Sequence, residues 1–305
     1  MRYFSALFMK IPLLLNPCSP LKMASFCKTL YKRGKSNTSS LVLACLLVGL
    51  FFFSFGSAKA DQPPASINLS DFPAASVQDV VVPVPSEIFA VLDKLGNPNW
   101  KAQLRLGKTR NPSDRGQVAL LLGSVIAEGF IAVEAEDTER VKDLGRDVLT
   151  LADAINVRKS VIARSKSIIE KADQRDWRGV RAEFDGALQD VRSAMDEMND
   201  ENLAQLVSLG GWLRGTDTLT AIVNDNYTVS GAELLHQPEL VHYFERCIHT
   251  MPTRMRKNLL VVRINDVLHQ IAPIIDEKGK NITREKVQKI HTLTSDIVAK
   301  INSNS

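Results

Sequence analysis

Residues Val118–Val133 read VALLLGSVIAEGFIAV, and this stretch decides the fold class. A helix apolar nearly all round is one enclosed by other helices. Its polar residues, with those flanking it, fall on one narrow strip of the helical wheel: Gln117, Ser124, Glu128 and Ala135. Two expectations follow for that strip. Either it is a thin edge or a satisfied contact between helices, or Glu128 faces a cavity and titrates high because burial disfavours its charge.

Working outward, Asn111-Pro112-Ser113-Asp114 starts this helix, which runs to about Ala135. Further helices are expected near 138–155, 157–174, 176–198, 200–213, 216–227, 231–250, 254–277 and 283–302, with a short one from Ser86 to Leu95. Val180, Phe184, Ala187, Leu188, Val191 and Met195 recur at spacings of three and four, giving one buried stripe. Val287, Ile290, Leu293, Ile297, Val298 and Ile301 repeat the device. No run of alternating residues suggests a sheet. The expected fold is therefore all-α, a multi-helix bundle of about nine to ten helices or a helical-hairpin array. It occupies residues 86–305, as one domain or as two abutting bundles with a break near 198–215.

Before this body, residues 61–85 hold five prolines and read as a disordered, partly polyproline linker. Residues 1–60 read as a leader. Lys32, Arg33 and Lys35 precede the apolar run Leu41–Phe55, and Ala58 and Ala60 supply the small residues of a secretory cleavage site before Asp61. The expected destination is the periplasm or another extracytoplasmic compartment. The alternatives are a membrane anchor formed by residues 41–58 and a two-part signal to an organelle lumen. Met23 is an alternative start to Met1.

Charge agrees with this division. The whole chain has 38 Lys and Arg against 34 Asp and Glu, a net of +4. Eight of the bases and none of the acids lie in residues 1–60, so residues 61–305 carry 30 bases, 34 acids and a net of −4. The basic total thus gives no support to nucleic-acid binding. Three of the four cysteines belong to the leader, and Cys247 alone cannot form an intramolecular bridge. It reads as a small buried hydrophobe.

Three constellations are candidates for function. In Leu209-Gly210-Gly211-Trp212-Leu213-Arg214-Gly215-Thr216, glycines crowd a helical region, where each costs about 1 kcal/mol relative to alanine. Close packing, a bend, or approach of a ligand should compensate. Arg214 is the one base among nine acids between Ser193 and Glu245. Paired with one of them it would be a packing corner; otherwise Trp212, Arg214 and Glu128 would bind an anionic or carbonyl ligand in an interhelical pocket. Second, His242, Glu245 and His249 share a helix face, the spacing at which imidazole and carboxylate could hold a divalent metal. That spacing matches no zinc signature, and a polar surface stripe is the simpler reading. Third, residues 246–263 contain Arg246, Arg254, Arg256, Lys257 and Arg263 and no acid. This run either packs against the acidic stretch before it or forms a patch for phosphates or an acidic partner.

The chain has no G-x-S-x-G elbow, P-loop, dinucleotide glycine fingerprint, C-x-x-C or H-E-x-x-H. No catalytic residue is assigned and no cofactor is expected, a divalent metal being the alternative. The sequence favours a non-enzymatic interaction or assembly module with a protein partner, no nucleic acid, and membrane contact only through an uncleaved leader. The alternative is an extracytoplasmic binding protein for a small ligand or metal.

Overall fold

Asp114 begins the central helix by accepting a 2.8 Å hydrogen bond from the Gln117 amide, which supplies one of the partners a helix start lacks. The computed structural model describes residues 75–77, 80–82, 98–105, 109, 112–276 and 281–303. The expectations for the leader and for a helix over 86–95 lie outside these residues. Residues 63–305 form one compact unit.

The described helices are α1 (Trp100–Gln103), α2 (Arg115–Glu134), α3 (Thr138–Ala154), α4 (Arg158–Asp173), α5 (Trp177–Glu197), α6 (Glu201–Asp225), α7 (Val229–Glu233), α8 (Pro238–Thr250), α9 (Thr253–Arg256), α10 (Leu259–Ile275) and α11 (Arg284–Asn302). The organisation is an all-α multi-helix bundle, as the periodicity predicts. One feature departs from the expectation of no sheet. Within the proline-rich segment, β1 (Ala75–Val77) and β2 (Val80–Val82) pair antiparallel as a short hairpin, and β2 lies beside α8. Three-residue strands are too short for alternation to be legible.

From α2 to α6 the chain makes four consecutive reversals by one device. Glu136, Asn156, Arg175 and Asn199 all have positive φ, between 52° and 68°. Each sits two residues beyond a helix end. The following amide bonds back across the turn: Asp137 to Ala132 O, Val157 to Ala152 O, Asp176 to Lys171 O, and Asp200 to Met195 O, all at 2.8–3.0 Å. These are Schellman closures made without glycine. The residue that closes one helix also opens the next, and Asp137 and Asp176 add side-chain caps to Arg140 N and Gly179 N. Such tight connections force neighbouring helices to run antiparallel.

α6 then returns against α2, and this pair forms the central contact of the body. α3, α4 and α5 continue from α2; α11 packs on α6 and α10, and α10 on α8. Every residue from Gln117 to Val133 is buried. Although α2 is long and apolar enough to cross a membrane, its surroundings are other helices. The stripe of α5 is buried at Val180, Phe184, Ala187, Val191 and Met195, with Leu188 partly covered.

The glycine-rich stretch is not a break. α6 runs unbroken through Gly210, Gly211 and Gly215, where two helices were expected. A Cβ on Gly210 would stand 1.9 Å from the Leu120 carbonyl oxygen, and one on Gly123 would stand 1.8 Å from that of Val207. The two backbones meet at reciprocal glycines. Close packing is thus the compensation for their poor helix propensity.

Candidate functional site

The most polar place in the core is built around Arg214 on α6. Its side chain is 2% exposed, and every guanidinium nitrogen has an internal acceptor. Nε donates to Glu128 Oε2 at 2.8 Å; Nη1 donates to Asp217 Oδ2 at 3.0 Å and Thr218 Oγ1 at 2.6 Å; Nη2 donates to the Gln103 carbonyl at 2.6 Å. Asp217 and Thr218 lie one turn further along the same helix, so this half of the cluster follows from helical spacing. Glu128 comes from α2, across the glycine contact. The narrow strip is therefore a satisfied contact. At its N-terminal end Gln117 donates to the Ile301 and Ser303 carbonyls at 3.3 and 2.7 Å.

The segment after α1 completes the cluster. The Arg105 amide donates to Glu128 Oε1 at 2.6 Å, and Arg105 Nη2 donates to Asp217 Oδ2 at 2.9 Å. Arg140 Nη2 on α3 stands 4.0 Å from Glu128 Oε1. Burial, then the neighbouring charge of Arg214, lowers the Arg105 pKa, while Asp217 and Glu128 act the other way. Two carboxylates and three guanidiniums thus share a largely dry space, where an unpartnered charge would be costly.

His291 on α11 borders the cluster. Its Nδ1 is 3.2 Å from Thr220 Oγ1 and 3.5 Å from Asp217 Oδ1. Thr220 Oγ1 also lies 2.8 Å from the Thr216 carbonyl and 2.9 Å from that of Asp217. Its single proton is committed to these carbonyls, so it accepts from His291 Nδ1–H. Hydroxyl, imidazole and carboxylate occur together here, but not as a nucleophilic relay. A relay needs the hydroxyl on one ring nitrogen and the carboxylate on the other. Here both face Nδ1.

Of the three expected ligand-binding residues, Glu128 and Arg214 converge and Trp212 does not join them. Two positions before Arg214, Trp212 turns toward α8, with its ring 5.5 Å from Phe244 and its Nε1 3.4 Å from Gln237 Oε1. It lines a small recess of about 10 Å³ together with Thr216, Leu219, Gln237, Ile271 and Ile290. That is about the space of one water molecule, far below the roughly 300–1,000 Å³ of typical small-molecule pockets.

The histidine stripe is also divided. His242 Nδ1 is 3.0 Å from Glu245 Oε2, but His249 is exposed and bonds to neither. The neighbours come from the far side: Asp276 Oδ2 lies 3.7 Å from His242 Nε2, and His269 Nε2 lies 3.9 Å from Glu245 Oε1. The hydrogen bond to Glu245 raises the His242 pKa above its ordinary value, against a smaller opposing effect of burial. Among the described residues no three His, Cys, Asp or Glu side chains are grouped to hold a metal ion. Cys247 is buried at 4% exposure, and burial pushes its thiol pKa up.

Sequence reasoning named Glu128 and Arg214 but missed Arg105, Asp217 and His291. Asp217 carried a usable signal, an acid three residues after a lone arginine. Arg105 and His291 carried none, since they arrive from segments remote in sequence. The chain matches no family model, no curated protein and no solved structure with which it was compared.

Proposed function

We propose that this chain is an exported, non-enzymatic interaction module whose helical body engages a protein partner through its outer surface. The observation that carries this reading is the internal use of Arg214. Each of its nitrogens already has an acceptor within the protein, and the residues expected to flank it in a ligand site are divided between two places. The cluster's work is to fix the segment 98–105 and α2 against α6, a positioning role. Surface charge and outer helix faces are then the means of recognition. Native mass spectrometry of the protein isolated from its own host tests this. A protein partner at defined stoichiometry is the expected result. A retained small molecule or metal ion on an otherwise isolated chain would overturn it.

A second reading has one observation in its favour. The recess at Trp212 offers an aromatic ring, apolar walls and the polar groups of Thr216 and Gln237. At about 10 Å³ it would admit a small apolar molecule with one hydrogen-bonding group only if the lining side chains moved apart. Quenching of intrinsic fluorescence by such a molecule, lost in Trp212→Phe, would favour this reading over the first.

A further inference from the structure

The acid-free run has an outcome that its two sequence readings left open. Pairing with the preceding acidic stretch would neutralise it. Yet Arg254, Arg256, Lys257 and Arg263 are all exposed, and none forms an ion pair among the described residues. Several cations elsewhere in the body do have carboxylate partners, among them Arg115, Lys142, Arg164, Lys171 and Arg181. Within the same ten residues Leu259 is 77% exposed and Val262 41% exposed, the former the most exposed large apolar side chain among those described. The two are brought together by the local fold. α9 and its cap Lys257 lead directly into α10, whose first turn is capped by Asn258 Oδ1 accepting from Leu260 N at 2.9 Å. Along α10, Leu260, Val261 and Ile264 face the core, which leaves Leu259, Val262 and Arg263 on the solvent side at spacings of three and four.

From this juxtaposition we infer that the α9–α10 corner is a docking surface for an anionic lipid bilayer, with Arg254, Arg256, Lys257 and Arg263 meeting headgroup phosphates and Leu259 entering the interface beneath them. Cations around a protruding aliphatic side chain match a bilayer's order of layers, charged outside and apolar within. Single-stranded nucleic acid would call instead for aromatic stacking platforms among the cations, and this corner has none; duplex nucleic acid would have no use for a protruding aliphatic side chain on the phosphate backbone. The inference is independent of the interaction-module reading and extends membrane contact beyond the leader. A basic residue at an anionic surface contributes about 1 kcal/mol, roughly a fivefold change in partitioning. The remainder of the acidic body is repelled, which orients the docked molecule.

The test uses the protein as isolated from its host, with flotation on vesicles of phosphatidylcholine alone or with 30% phosphatidylglycerol. Whatever the N-terminus contributes is common to parent and variants. Binding should increase with phosphatidylglycerol and weaken with salt. Arg254→Gln/Arg256→Gln/Lys257→Gln should reduce partitioning on the order of a hundredfold, the product of three fivefold factors. Leu259→Ser should reduce it about tenfold without altering its salt dependence. Amide exchange over 253–263 should slow when anionic vesicles are added, a readout specific to the corner. Unchanged exchange there, or equal partitioning of the triple variant and the parent, would overturn the proposal. So would protection of these amides by an acidic protein or an oligonucleotide but not by vesicles, since that would assign the corner to another partner.

Discussion

Replacing Gly210 by alanine sets two physical effects against each other in one helix. By propensity alone, alanine within α6 should stabilise the protein by about 1 kcal/mol. Against this, the new Cβ would lie 1.9 Å from the Leu120 carbonyl oxygen and 2.7 Å from its carbon, and the contact is with backbone. Relief to 3.0 Å requires α2 and α6 to separate locally by at least 1.1 Å. A radial gap of about 0.5–1 Å already forfeits a quarter to a half of the dispersion energy between packed atoms. Overpacking of this kind costs about 1–3 kcal/mol and occasionally more. We take the upper end, because the obstruction cannot rotate away and the α2–α6 contact is the centre of the fold. After subtraction of the propensity gain, Gly210→Ala should destabilise by about 2 kcal/mol. Gly215 provides the control. It lies in the same helix, but a Cβ there would meet nothing within 4 Å, so Gly215→Ala should stabilise by about 0.5–1 kcal/mol. Urea unfolding followed by circular dichroism, with unchanged m-values, gives both numbers. If Gly210→Ala is as stable as the parent, or both variants shift the midpoint in the same direction by similar amounts, the close-packing account of this stretch is wrong.

Two further outcomes follow from the charged groups. Arg214→Met leaves Glu128 and Asp217 buried without their principal cation, and should cost about 3–5 kcal/mol in the same urea assay; a loss below about 1 kcal/mol would contradict the buried network. For His242 the folded pKa is raised, so its contribution to stability is complete below the ordinary value of 6.5 and is lost as pH rises through the folded pKa. An NMR titration should place His242 above 6.5, and Glu245→Gln should bring it down, Glu245 being the largest cause of the shift; a parent titration at or below 6.5 would refute the assignment.

The helical body was legible in the sequence because helix periodicity and capping are local. Asp114, Asp137, Asp176 and Asp200 mark helix starts, and stripes at spacings of three and four mark the buried faces of α5 and α11. Likewise, the all-round apolarity of Val118–Val133 announced a helix enclosed by others. The reversals were less legible in mechanism than in position. Their left-handed residues are Glu, Asn, Arg and Asn, so no glycine signals the closure.

Tertiary structure decided what local reasoning had to leave open. Taken alone, Gly210, Gly211 and Gly215 argue for a break in α6; the α2 backbone at Leu120 and Gly123, brought within reach from about ninety residues away, accounts for Gly210 and Gly211, whereas Gly215 faces open space. Arg214 could be seen to have Asp217 one turn ahead, but Glu128 lies 86 residues before it and the Gln103 carbonyl 111 residues before it. Whether a lone arginine awaits a ligand or is fully used within the core depends on those distant partners. The basic corner makes the converse case. Its charges are written in the sequence, whereas their lack of described counter-ions is a property of the packed chain. Periodicity and capping act within a few residues, while charge satisfaction and backbone approach depend on which segments folding brings together.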